Sequence, residues 1–171
     1  MDIMELGAIG ELVGGVAVIA TLVFVGLQVR QSNDLERTET LRAFARDWSL
    51  AVVEPLREAD SADLIRRGNG RFEDLEETGK VQFFGYYGQV FFLAQELFLL
   101  NARGRVDPVL VDQIDGVILS FLTMLGVEQW YDLSRAFMSP PFLEHLEVLR
   151  RSTTPVQMSD AYPAFVTTGR A

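Results

Sequence analysis

Three groups of residues carry side chains that could do chemistry. Asp112 and Asp115 stand three apart, a helical spacing that would let two carboxylates share a cation or divide the roles of acid and base. His145, the only histidine, has Glu144 and Glu147 close by and invites a metal. Glu96 is the only acid between Val81 and Leu100. Each group also has a plainer reading. Carboxylates three apart commonly mark a wet face. His145 does not share one helical face with its two glutamates, and no Glu three residues before it supplies the pairing of di-iron bundles, which leaves a surface or interface histidine. Glu96, set among apolar neighbours, should find a partner such as an arginine or titrate abnormally. The sequence contains no phosphate-cradling G-x-x-x-x-G-K-[ST], no G-x-G-x-x-G, no G-x-S-x-G and no H-E-x-x-H. Without cysteine there is no disulfide and no thiolate metal site. We therefore expect no catalytic, cofactor or metal residues.

The elements that would hold such side chains are helices, and the first is the most apolar. Leu6 to Val29 carries one charge, Glu11. At about 1.5 Å per residue a helix of this length reaches roughly 36 Å, enough to cross a hydrocarbon core of about 30 Å. With the bilayer centre near Ala17 or Val18, Glu11 lies towards the headgroups, and Arg30 leaves the span at the other interface. The acidic start, Asp2 and Glu5, and the lack of an A-x-A site argue against a cleaved signal and for an anchor. Arg30, Arg37, Arg42 and Arg46 all follow the segment and no basic residue precedes it, so the N-terminus is expected outside and the rest of the chain in the cytoplasm. Gly7, Gly10, Gly14, Ala17, Thr21 and Gln28 fall on one stripe, mostly of small residues, that would let another helix approach closely, whether from a second copy or another protein.

Beyond residues 1–31, the anchor, we expect one helical cytoplasmic domain over 32–152 and an extended tail over 153–171. The fold class is thus all-α: a single transmembrane helix followed by a bundle of about five helices. An amphipathic helix from Leu35 to near Pro55 places Leu41, Phe44, Ala45, Trp48 and Ala51 or Val52 inward, and a short helix covers Ala62–Arg67 before a turn at Gly68-Asn69-Gly70. The helix from Asp74 to Asn101 is aromatic around most of its circumference, with Gln82, Gly85, Gln89 and Glu96 as one polar stripe. It reads as a central core helix rather than a second span, and Phe83, Tyr87, Phe91, Glu96 and Trp130 are its candidate pocket or interface residues. Asp107-Pro108 starts a helix to about Leu125, facing inward through Leu110, Ile114, Val117 or Ile118, Phe121 and Leu125. Gly126 divides it from a helix with Trp130, Leu133, Ala136 and Phe137 inward, and Ser139-Pro140-Pro141 opens the last one. A net charge of −9 argues against nucleic acid as a partner, since phosphates demand a basic surface.

The opening also resembles a family of small uncharacterised bacterial membrane proteins that begin A-I-G-E-(I/L)-V-G and leave an aliphatic span at Q-(I/V)-R-Q. The match lies on Ala8–Val13 and Gln28–Gln31. Weaker correspondences follow at Glu96, at Gly104–Asp107 and at Gly126 with Trp130 and Tyr131, so that the resemblance reaches about Arg150. It implies an anchored helical architecture in the cell's inner membrane. It makes Gly10, Glu11, Gly14, Gln28 and Arg30 candidates for membrane-helix contact, and it implies no reaction. The sequence thus points to a non-catalytic membrane subunit whose partners are lipid and either other membrane subunits or itself. A sensor holding a lipid or quinone-like molecule against residues 81–100 is the alternative, and a carboxylate enzyme the remotest one.

Overall fold

The computed structural model describes the backbone over residues 3–162 and the side chains of 18, 21–32 and 34–162. All regular structure among the described residues is helical. The chain divides into two compact units, Met1–Glu39 and Thr40–Ala171. Helix α1, Ile3–Trp48, runs for 46 residues and passes through Ser32–Asp34 without a break. No Gly or Pro interrupts it there, and the Thr38 hydroxyl donates to the Asp34 carbonyl 2.9 Å away, a bond compatible with helical backbone. In the first unit Val18, Leu22, Val23, Phe24, Val25, Leu27 and Val29 are all exposed, and they point to every side of the helix. Among the described residues no single helix is long and apolar enough to cross a membrane.

In the second unit α1 ends in a π-turn, Ser49–Val53, and a 3-10 turn, Glu54–Arg57, where Pro55 removes a backbone donor. The bundle then consists of α2 Ala59–Gly70, α3 Glu77–Ala102, α4 Pro108–Phe121, α5 Leu125–Ser134 and α6 Pro140–Ser152, with a last turn α7, Met158–Ala161. Local chemistry explains several boundaries. Gly104, at φ +69°, lets the chain leave α3 in the left-handed conformation. Asp107 caps α4 by accepting from the Val109 N–H at 2.9 Å, with Pro108 in the first turn. Central helix α3 packs against α2, α4, α5 and α6. Its polar stripe, Gln82, Gly85, Gln89 and Glu96, is exposed or half-buried as the sequence indicates. Helices α4 and α5 are bent by 108° at their junction and would suit a membrane by length and composition only as a pair, but Ile114, Ile118, Trp130 and Tyr131 bury their faces in the core.

Four sequence expectations give way to tertiary packing. Gly68-Asn69-Gly70 is no turn: α2 continues through it, because Gly68 is where α5 comes closest. A Cβ at Gly126 would overlap the Gly68 carbonyl, and one at Gly68 would overlap the Phe83 ring. Gly126 accordingly lies inside the first turn of α5 rather than between helices. On α5 the inward face is Val127, Trp130, Tyr131 and Ser134, which leaves Leu133 on the outer side, and the 3-10 turn at Arg135–Phe137 leaves Ala136 and Phe137 exposed as well. In the tail, Met158 is buried and its N–H donates to the Thr123 hydroxyl at 3.2 Å, so α7 docks beside the α4–α5 corner.

Candidate functional site

On α3, steps of four bring Phe83, Tyr87 and Phe91 onto one face, and α5 sets Trp130 against it. Ring centroids lie 4.8 Å apart for Phe83 and Tyr87, 5.7 Å for Tyr87 and Trp130, and 4.9 Å for Phe91 and Trp130. All four side chains are fully buried, or within 1% of it, so they form the core's centre and leave no pocket between themselves. The Tyr87 hydroxyl donates to Asn69 Oδ1 at 2.7 Å, and Asn69 is itself fully buried. Burial first, and then the neighbouring Tyr86, holds Tyr87 well above the ordinary phenol range against the pull of Asn69, so the hydroxyl stays a donor. The Trp130 indole N–H and the Tyr131 hydroxyl have no hydrogen-bond partner among the described residues.

Outside this core, α3 and the segment from Trp130 to Met138 flank a shallow apolar groove, open to solvent. Phe84, Gly88 and Phe92 come from α3, and Trp130, Ser134, Phe137 and Met138 from the other side. Phe92 and Phe137 are exposed, and Phe137 stands edge-on to Phe84 at 6.0 Å. Open space lies above Gly85 and Gly88, where an added Cβ would meet nothing within 4 Å. Such a groove suits an apolar side chain or another helix.

A second cluster joins three helices. His145 Nε2 on α6 lies 2.7 Å from Asp115 Oδ2 on α4, and the imidazole stacks on Phe98 of α3 at 4.6 Å. With the carboxylate ionised, Nε2–H is the donor. Burial raises the Asp115 carboxyl above the usual range, the His145 bond and charge oppose it, and Asp112 adds to the rise. A carboxylate that orients an imidazole is half of an acid–base relay, which also needs a nucleophile or substrate at the other nitrogen. The hydroxyls of Ser120, Thr123 and Ser134 donate to backbone carbonyls of their own segments. The pair's evident work is to tie α4 to α6.

Of the residues singled out from sequence, Gly7, Gly10, Glu11, Gly14 and Ala17 lie outside the described side chains. Thr21, Gln28 and Arg30 are exposed on α1. Glu96 is exposed on its stripe, so its carboxylate reaches water and needs no buried partner. Asp112 is exposed as a wet-face residue should be, whereas Asp115 is buried. The Asp115–His145 pair escapes sequence reading because its members are 30 residues apart and neither has a local signal naming the other. Among the described residues no group of three or more His, Cys, Asp and Glu side chains is placed to hold a metal. No family model, no characterised protein and no solved structure matches the chain.

Proposed function

We propose that the chain is a membrane-anchored subunit without catalysis of its own, which holds its helical domain at the cytoplasmic face and associates with a second copy or with another membrane protein. The observation that carries this reading is the set of exposed apolar side chains on α1 at Val18 and from Leu22 to Val29. Fully burying a Val, Leu or Phe side chain is worth about 1.5–3 kcal/mol. Seven such residues together rival the roughly 5–15 kcal/mol that holds a whole domain folded, so water is the wrong environment for them. Lipid covers a helix that is apolar on all sides, and the acidic start followed by Arg30 orients it. The resemblance to bacterial membrane proteins over Ala8–Val13 and Gln28–Gln31 supports the same placement. The sensor alternative would use the surface groove at Phe84, Gly88 and Phe92, since Phe83, Tyr87, Phe91 and Trp130 pack on one another.

The test is fractionation. The full chain should remain in the membrane pellet after alkaline carbonate washing, and Val18→Arg with Leu22→Arg, each costing about 2.5–3.5 kcal/mol near the bilayer centre, should release it. Recovery of the unaltered chain in the soluble fraction would overturn the reading. The chain lacks cysteine, so a lone thiol at exposed Thr154→Cys reports orientation. It should resist an impermeant maleimide in intact cells and react once they are opened.

A further inference from the structure

We infer that Met158 is an oxidation-sensitive latch: conversion of its thioether to the sulfoxide releases the C-terminal tail from the helical domain. Over residues 153–162 every position is exposed except Met158, which is buried, and Pro155, which is half-buried. Met158 belongs to the hydrophobic core cluster, while Val156 and Tyr162 on either side of it stay 62% and 60% exposed. The backbone repeats this arrangement. Within α7 the Ala161 N–H donates to the Gln157 carbonyl at 3.0 Å and the Tyr162 N–H to the Met158 carbonyl at 2.8 Å, so these bonds close the turn on itself. The Met158 N–H instead reaches the bundle, donating to the Thr123 hydroxyl at 3.2 Å, and that hydroxyl is fixed by its own bond to the Ser120 carbonyl at 2.6 Å. Buried side chain and bridging bond thus belong to one residue. A single buried side chain of this size favours the docked over the released tail by roughly ten- to a hundredfold. The tail therefore opens often while the helices behind it stay folded.

Opening brings the sulfur to water and to any peroxide dissolved there. A sulfur lone pair attacks one peroxide oxygen, the O–O bond breaks as the S–O bond forms, and the second oxygen leaves as water; sulfur loses two electrons and the peroxide gains them. The product is polar where the thioether was apolar. Docking it again would bury a sulfoxide oxygen beside a hydroxyl whose proton is already given to Ser120, and an unpaired buried polar group opposes docking by as much as the methionine's burial favoured it. The latch then stays open until the sulfur is reduced. Position makes this selective. Met124 is 2% exposed near the same corner, but it joins α4 to α5 and meets solvent only when those helices part. The inference concerns the helical domain and does not rest on the proposed function, since it stands whether or not α1 enters lipid.

The experiment treats the full chain in mild detergent with hydrogen peroxide and follows each methionine by mass spectrometry of its peptide. Met158 should become sulfoxide roughly tenfold faster than Met124, although both are buried. Amide exchange over residues 158–162 should quicken several-fold in step with that product, while exchange in α3 stays as it was. Two variants fix the cause. Met158→Leu keeps the size and offers no sulfur, so its tail should exchange slowly before and after peroxide, although Met124 and Met138 remain to be oxidised. Met158→Gln, polar and of similar length, should exchange quickly with no oxidant present and leave the domain's melting temperature nearly unchanged. A methionine sulfoxide reductase should restore slow exchange to the oxidised chain. Equal oxidation of Met158 and Met124, a Met158 sulfoxide that exchanges as slowly as the thioether, or peroxide-driven exchange persisting in Met158→Leu would each overturn the inference.

Discussion

Leu22 and Phe24 in α1 are as apolar as Phe83 and Phe91 in α3, yet the first two are 67% and 60% exposed and the second two are wholly buried. Composition does not separate the two stretches; partners do. Helix α3 has polar or small residues on one stripe only, and α2, α4, α5 and α6 cover the rest of its circumference. The stretch from Val18 to Val29 carries no polar stripe beyond Thr21, Gly26 and Gln28, and its described side chains are exposed. A long apolar run can therefore mean either a core or an anchor. What distinguishes them is whether an interrupted polar face leaves a direction for the rest of the chain to avoid.

The contrast breaks first under truncation. Phe91→Ala should lower the unfolding free energy of the helical domain by about 3–5 kcal/mol, through lost transfer and a cavity against Trp130. Phe24→Ala, which removes the same atoms from an exposed site, should leave it within about 0.5 kcal/mol. Urea titration of the full chain in detergent, followed by tryptophan fluorescence, checks both. Equal losses would mean that Phe24 is part of the packed domain. Glycines sharpen the same comparison at a smaller scale. Gly126→Ala forces α5 away from the Gly68 carbonyl and should cost about 3 kcal/mol, while Gly26→Ala meets nothing within 4 Å and should leave the domain's unfolding unchanged or slightly favour α1.

These glycines also show where sequence reading reaches its limit. Asp107-Pro108, Gly104 and Ser139-Pro140 mark helix ends in sequence and structure alike because these signals are local: Asp107 accepts from the first turn of α4, Gly104 takes the left-handed φ after α3, and Pro108 and Pro140 stand where a helix start leaves a backbone donor free. The polar stripe of α3 is legible for a related reason, since solvent sets its period. Gly68 and Gly126 read as punctuation because a glycine that admits a neighbouring helix is indistinguishable, in one sequence, from a glycine that turns the chain. The inward face of α5 differs from its sequence pattern because the 3-10 turn at Arg135–Phe137 ends the helical period before Phe137. As for the groove, its α3 side is Phe84, Gly88 and Phe92, but its far wall comes from residues about forty positions on, which no local pattern joins to them.

The smallest effect concerns the one buried acid among the described residues. Asp115 has a folded-state pKa raised above its ordinary 3.8, chiefly by burial, so the folded domain holds that proton more tightly than the unfolded chain does. The favourable contribution is then complete below 3.8 and is lost as pH rises through the raised value; at neutral pH the ionised carboxylate opposes folding. Asp115→Asn carries no such term and keeps an oxygen or an amide to offer His145 across the 2.7 Å contact. Its stability relative to the unaltered chain should therefore rise with pH through that window and level off above it. Urea midpoints for both proteins at a series of pH values from acid to neutral measure the difference. A relative stability that falls with rising pH would show that His145, rather than burial, dominates Asp115, and would turn the α4–α6 tie into a stabilising ion pair.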